Sequence, residues 1–537
     1  MTKILLSSFC ILCMSSMVAQ VSFTNEDGLI GNYGVYHTVA VDMNNDNLDD
    51  YVRVTENGIG IDYQNGDGTF TSIYRSMSIQ NAPNWSIAAG DLDENGYNDL
   101  VLGNGQRVSF LMANNDGSNY VENTHPEFIF SQRSNMVDID NDGDLDAFVC
   151  HDVDLSHPYR NDGNGNMTLD QTLIETIDLP GNYASLWVDY DNDGDTDMYL
   201  SKCRGGSSPG DPERDNAMYT NNGDGTYTEN AQSINLRDNA QSWVTMFEDF
   251  DNDGDFDAFT VNHDFQNRFY ENNGSGVFTD IIQTTGIDPD DLGAWENQTA
   301  DFNNDGYIDI LSEMNRELYI NNGDMTFTGI DLPFDEGAIA DLNNDGFLDV
   351  AHSGNLWINN GNSNNHVIIT LKGIQSNSNG IGARISITGD WGTQMREIRS
   401  GQGFSHMNSL NAHFGLGSAT AIETIRIDWP SGVVDVIENP DVNTQHVFTE
   451  GDNQLSTDDF DLSGIQIYPN PTADILNFSM KDMVETSVAV IDTNGRVVMN
   501  TEISENNSID VSELRSGVYF VQFDIEGRTV HYKFAKN

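Results

Sequence analysis

The sequence predicts an all-β chain: a seven-bladed β-propeller, then a β-rich domain, then a small C-terminal β-sandwich. Three observations predict it. A short acidic loop recurs seven times, starting at Asp42, Asp91, Asp138, Asp189, Asp249, Asp301 and Asp341. Short apolar, β-prone runs flank the copies: TVAV, SIAAG, SLWV and WVTMFE before, DLVL, DAFVC, DMYL and DAFTV after. A second repeat follows each loop, as in YQNGDGTFT, YTNNGDGTYT and YINNGDMTFT, where Asn-Gly and Asp-Gly mark hairpin turns. A period of about 50 with four strands per unit is the pattern of radially repeated sheets.

Each unit therefore reads strand 1, acidic loop, strand 2, connection, strand 3, Gly-rich turn, strand 4. The seventh unit ends at LWINNGNSNN without a Phe-Thr strand, and Val21–Asn25 near the N-terminus carries that missing pattern. It is expected to supply the outer strand of the seventh blade and so remove an open sheet edge.

The loops place carboxylates or amides at positions 1, 3, 5 and 9, and position 7 varies as if only its carbonyl were used. Hard cations such as Ca²⁺ take about six to eight oxygens in flexible geometry. The expected ligands are Asp42, Asn44, Asp46, Leu48 and Asp50; Asp91, Asp93, Asn95, Tyr97 and Asp99; Asp138, Asp140, Asp142, Asp144 and Asp146. They continue with Asp189, Asp191, Asp193, Asp195 and Asp197; Asp249, Asp251, Asp253, Asp255 and Asp257. The last two loops give Asp301, Asn303, Asp305, Tyr307 and Asp309, then Asp341, Asn343, Asp345, Phe347 and Asp349. Position 6 is Gly or Asn, which tolerates a sharp turn. An EF-hand would close with Glu at position 12 between helices; here the last carboxylate comes at position 9 between strands. The expected cofactor is about seven calcium ions acting as structural pins, since an all-protein cage leaves little room for substrate.

These units resemble FG-GAP (VCBS-type) repeats of integrin-α-like propellers, over residues 20–361. From Asn364 the pattern changes. GIGARI, REIRSG, HFGLG and IDWPSG resemble the ASPIC/UnbV domain, over residues 364–449, which follows such propellers in proteins like cartilage acidic protein. An acidic linker at 450–464 leads to IQIYPNPTADILNFSM, VAVIDTNGRVV and SGVYFVQF, with a basic end at Lys533 and Lys536. Residues 465–537 are similar to the C-terminal sorting domain of the type IX secretion system. That resemblance implies a Bacteroidota-type source, the type IX machinery as a partner, and a secreted or outer-membrane surface-attached protein.

Charge and targeting agree with export. With 23 Lys and Arg against 85 Asp and Glu, the net charge of −62 excludes phosphate-neutralising nucleic-acid binding. Residues 1–19 read as a signal peptide, and no later apolar run approaches the ~20 residues of a transmembrane span. Two cysteines follow the leader, Cys150 and Cys203, either as a disulfide between neighbouring blades or as buried thiols.

Two features point to the face opposite the acidic loops. From position 9 to the aligned aromatic or Met, four blades match in length: Asp50–Tyr63, Asp99–Met112, Asp146–Tyr159 and Asp257–Tyr270. Asp197–Tyr219 is longer, so the fourth blade carries an insertion within 201–216, with Lys202, Arg204 and Arg214. At one fixed place in strand 1, before the loops, stand Tyr36, Trp85, Tyr183, Trp243 and Trp295, which would gather near the channel mouth and stack on a sugar or peptide. Against these stand a tolerated polar insertion and ordinary inter-blade packing. His406 and His413, with Arg396, Arg399 and Asn408, could line a pocket or serve the fold. HExxH, GxSxG and P-loop signatures are absent, so the sequence leans away from catalysis without deciding it. The leading expectation is an extracellular glycan- or protein-binding adhesion module. The alternatives are a polysaccharide-acting enzyme with its site at the mouth, and a structural surface component.

Overall fold

A computed structural model describes residues 21–33, 37–177, 179–290, 295–313, 316–453, 466–479, 487–492, 496–503, 507–525 and 528–537. The expected signal peptide, most of the acidic linker and Tyr36 lie outside the described residues. The chain divides into two compact units, Met1–Leu455 and Ser456–Asn537.

In the first unit each repeat builds an antiparallel sheet in sequence order. The first holds Thr38–Val41, Asp50–Thr55, Gly58–Gln64 and Phe70–Ser76; the second holds Ser86–Gly90, Asp99–Gly103, Val108–Ala113 and Tyr120–Thr124. Five more follow the same plan, seven in all among the described residues. In the seventh, Phe23–Asn25 pairs antiparallel with Asn355–Asn359, Phe23 facing Asn359, so the N-terminal strand is its outer edge.

Adjacent sheets are tied by a repeated polar bond as well as by apolar packing. An Asn or Gln at the end of strand 3 donates to the carbonyl of the neighbouring sheet's acidic loop: Asn161 to Leu92, Asn272 to Tyr190, Asn321 to Phe250 and Asn359 to Phe302. Tyr227 donates to the Ile139 carbonyl and Asn98 to that of Asp42. Gln64 of the first sheet donates to the Asp341 carbonyl of the seventh at 3.1 Å, returning the series to its start. Each bond satisfies a carbonyl that the turn leaves without a ladder partner.

The β-rich domain packs Asn365–Lys372 between Ala412–Gly417 and Gln445–Thr449, beside a second sheet of Gly392–Glu397, Arg384–Gly389, Thr424–Asp428 and Val434–Glu438. Its core (Val367, Ile369, Ile385, Phe414, Ile427 and Trp429) is continuous with that of the first two repeats. The second unit holds two small sheets around Leu476, Phe478, Val490, Ile509 and Val521.

Candidate metal loops and ligand-binding face

The acidic loops are shaped by their own carboxylates. At position 1, Asp138 accepts the N–H of Asp142 on one oxygen and of Gly143 on the other; Asp189, Asp249, Asp301 and Asp341 repeat this. At position 9, Asp197 accepts from Tyr190 of its own loop and from Asn221 of strand 3, at 3.3 and 2.7 Å. Asp50, Asp99, Asp146, Asp309 and Asp349 make the equivalent pair. Position 9 thus ties each loop to strand 3.

Position 4 was not singled out in the sequence, yet it turns the loop as sharply as position 6. Asn45, Glu94, Asn141, Asn192, Asn252, Asn304 and Asn344 all have φ between +54° and +63°. The signal was present, because six of these seven residues are Asn, which enters the left-handed region at low cost.

The turns bring carboxylates together. In four loops three acidic oxygens lie within 4.8 Å of one another: Asp91, Asp93 and Asp99; Asp138, Asp140 and Asp146; Asp189, Asp191 and Asp197; Asp249, Asp251 and Asp253. Buried oxygens of Asp93, Asp140, Asp191, Asp255 and Asp257 have no hydrogen-bond donor. Without a cation, burial pushes Asp99 and Asp146 up to about 8, and Asp197 and Asp257 up to about 9. Hard oxygen donors, converged and with at least one buried oxygen in each of these four loops left without a hydrogen-bond donor, fit a divalent ion such as Ca²⁺.

The β-rich domain covers this acidic face. Arg384 places its guanidinium 3.3 Å from Asp189, and Arg399 lies 3.5 Å from Glu248 while donating to the Phe247 carbonyl at 2.7 Å. Buried Arg396 faces Glu248, Asp301 and Asp249. Ser378 donates to Asp91, and His413 Nε2 lies 3.0 Å from the Gly346 carbonyl. Arg396, Arg399, Asn408 and His413 do line a common cavity, of about 90 Å³, between this domain and the fifth to seventh sheets.

From Arg399 to Ser409 the same domain sends a loop through the centre of the ring. Ser400 Oγ donates to the Ala89 carbonyl, near the loop end of the second sheet's inner strand. Further along the loop, the Ser405 N–H donates to the carbonyl of Trp85, at that strand's other end. The chain then turns back: His406–Met407 pairs in parallel with Thr38–Val41, and Ser409 reaches Asp49. Gly401 (φ +79°) permits the passage, since a Cβ there would meet the Ser134 carbonyl. Phe404 sits at the tip, its N–H on Glu296 and its ring 4.8 Å beneath the Arg133 guanidinium.

At the far mouth the expected aromatic residues gather. Trp243 and Trp295 stack at 5.6 Å and 10°, Trp85 meets Trp295 edge-on at 5.4 Å, and Tyr183 meets Trp243 at 5.2 Å. Phe404 packs against Trp243 at 5.9 Å. Trp295 remains 39% exposed, and Phe128, Phe130, Val153 and Phe265 add exposed apolar surface on connections of that side.

The insertion of the fourth sheet is organised differently from the expectation. Lys202 is buried, its ammonium on the Leu179 carbonyl and Asn182. Arg214 is buried and holds both carboxylate oxygens of Asp264, at 2.8 and 2.9 Å. Half-buried Arg204 lies 3.3 Å from Asp152. In a chain this acidic, cations are drawn to internal carboxylates first. Cys150 and Cys203 are buried free thiols, Cys150 lying 3.2 Å from Ser185 Oγ.

Comparisons with known families agree with the sequence. FG-GAP-like repeats match residues 42–102, 138–200, 189–260 and 249–312. ASPIC and UnbV matches residues 373–455, and the secretion system C-terminal sorting domain matches 466–537. The chain thus carries all three modules, and its sorting domain indicates type IX secretion to the cell surface or outside. No helix among the described residues is long and apolar enough to cross a membrane. The comparison with curated proteins returned no match. Similar solved structures include an Agrocybe aegerita lectin that recognises non-reducing terminal N-acetylglucosamine (17% identity, TM-score 0.39, 56% of this chain and 80% of that one). Another is the V. cholerae biofilm matrix protein Bap1 (10% identity, TM-score 0.30, 96% of this chain and 84% of that one).

Proposed function

We propose that this chain is a calcium-stabilised extracellular recognition module that binds a glycan or protein at the mouth opposite its acidic loops. Calcium, one ion per loop, is the structural cofactor. Its ligands are the side chains at loop positions 1, 3, 5 and 9 and the carbonyl at position 7. The ions and the arginine-bearing domain above them hold the ring rigid, and the far mouth stays open to a ligand.

The observation that carries this reading is the aromatic cluster of Trp85, Tyr183, Trp243 and Trp295, with an exposed indole at its edge. A flat apolar face beside polar groups suits a sugar ring, because stacking buries C–H surface while hydroxyls keep their partners. A glycan array probed with the full chain tests it, with Trp295→Ala as the comparison. Binding that falls at least ~10-fold in the variant, equivalent to ~1.4 kcal/mol, supports the reading. Equal binding by both proteins, or product release without retention, overturns it.

A further inference from the structure

The loop that fills the ring brings a histidine to a place where another histidine and a glutamate already stand. Glu336 precedes the inner strand of the seventh sheet, and His352 ends the next strand. His406 belongs to the β-rich domain and arrives on the returning limb of the loop, beside Thr38. One donor atom from each of the three lies within 4.8 Å of the others.

The spacing of the three donors suits a metal. His406 Nε2 is 3.4 Å from Glu336 Oε1; His352 Nδ1 is 3.8 Å from the same oxygen and 3.1 Å from the Glu336 main-chain carbonyl, a contact that ligation through Nδ1 would replace. Two donors each ~2.1 Å from one tetrahedral ion stand ~3.4 Å apart, so little movement would close the site. His406 Nδ1 is held 3.0 Å from Thr38 Oγ1. With Nδ1–H donated to that hydroxyl, Nε2 carries the lone pair and faces Glu336. A ligating imidazole is commonly oriented in this way by its other nitrogen. The imidazole rings lie 4.9 Å apart, centre to centre.

We propose that Glu336, His352 and His406 form a site for a divalent transition ion of the zinc class, separate in chemistry and position from the acidic loops. Two imidazoles and one carboxylate favour Zn²⁺ or a neighbouring first-row ion, whereas the acidic loops offer hard oxygens only. The ion would join the seventh sheet to the loop that fills the ring, and His352, the least buried of the three, would lie on the solvent side.

The test uses untagged full-length protein kept in saturating calcium, so the acidic loops stay occupied. It is exposed to Zn²⁺, dialysed, and assayed for zinc and calcium by mass spectrometry; Co²⁺ replaces Zn²⁺ in a parallel absorption measurement. About one zinc per chain is expected, falling at least ~10-fold in His352→Gln and in Glu336→Gln with calcium content unchanged. Cobalt should give visible bands of a nitrogen- and oxygen-ligated tetrahedral ion in the wild-type chain alone. A wild-type chain that retains no zinc and gives no such bands overturns the proposal, whether or not the variants fold. Zinc retained equally by wild type and both variants overturns it too.

Discussion

Arg384 sets its guanidinium 3.3 Å from a carboxylate oxygen of Asp189, a partner far from it along the chain. One partner opens the fourth acidic loop; the other belongs to the GIGARI run of the β-rich domain. Their meeting gives that domain a physical role, a set of fixed countercharges laid over an acidic ring. Replacing Arg384 by Met leaves Asp189 and Glu397 short of a cation in a poorly solvated place. We expect a loss on the order of 3 kcal/mol in chelated protein and less in saturating calcium. Denaturant unfolding in the two conditions checks this.

The metal-free chain should be least stable in alkali. Asp99 and Asp146 are pushed up to about 8, and Asp197 and Asp257 up to about 9, in each case first by burial. An unfolded aspartate titrates near ~3.9, so between that value and about 9 the folded state holds protons the unfolded state has lost. Stability then falls as pH rises through the window. Buried histidines such as His157 and His413, held down at about 4 and about 3, oppose this below about 6.5. The carboxylates therefore act alone from about pH 7 to 8 and outnumber buried Lys202, held down at about 8, from there to 9, so the chelated chain should lose thermal stability across that window. Saturating calcium should flatten that slope, because the ion takes the place of the protons.

Within one loop the positions should differ. Asp197 holds two backbone N–H groups in addition to its expected metal role, whereas Asp193 is exposed. Asp197→Ala should cost ~2–4 kcal/mol even in chelator, by orphaning those donors. Asp193→Ala should lower calcium content and leave chelated stability nearly unchanged. Calorimetry of both variants with and without calcium separates the effects.

Gly401→Ala should expel the loop from the ring. Its φ of +79° and the Ser134 carbonyl beside it leave a methyl nowhere to go. The expected cost is at least ~2 kcal/mol, with loss of near-ultraviolet dichroism as Phe404 leaves Trp243.

Much of this was legible in the sequence because it is local and repeated. Asp42 to Asp50 is a complete unit of information, and six further copies confirm it. The missing strand of the seventh repeat could be read at Val21–Asn25 for the same reason. The channel-filling loop could not. Ser405 and Trp85 come from different domains, and neither periodicity nor alternation marks a segment that pairs so briefly, through His406 and Met407 alone. The basic side chains of the insertion misled for an electrostatic reason. Lys202 and Arg214 look free in a linear list, but an acidic fold has carboxylates and carbonyls waiting for them.

Calcium removal tests the central claim most directly. Full-length protein is stripped with a calcium-selective chelator, its metal content is measured, and both forms are scanned in a calorimeter. Loss of about seven calcium ions with a fall in Tm of at least ~10 °C, reversed on re-addition, is the predicted result. A calcium-free chain that melts at the same temperature as the loaded one would contradict it.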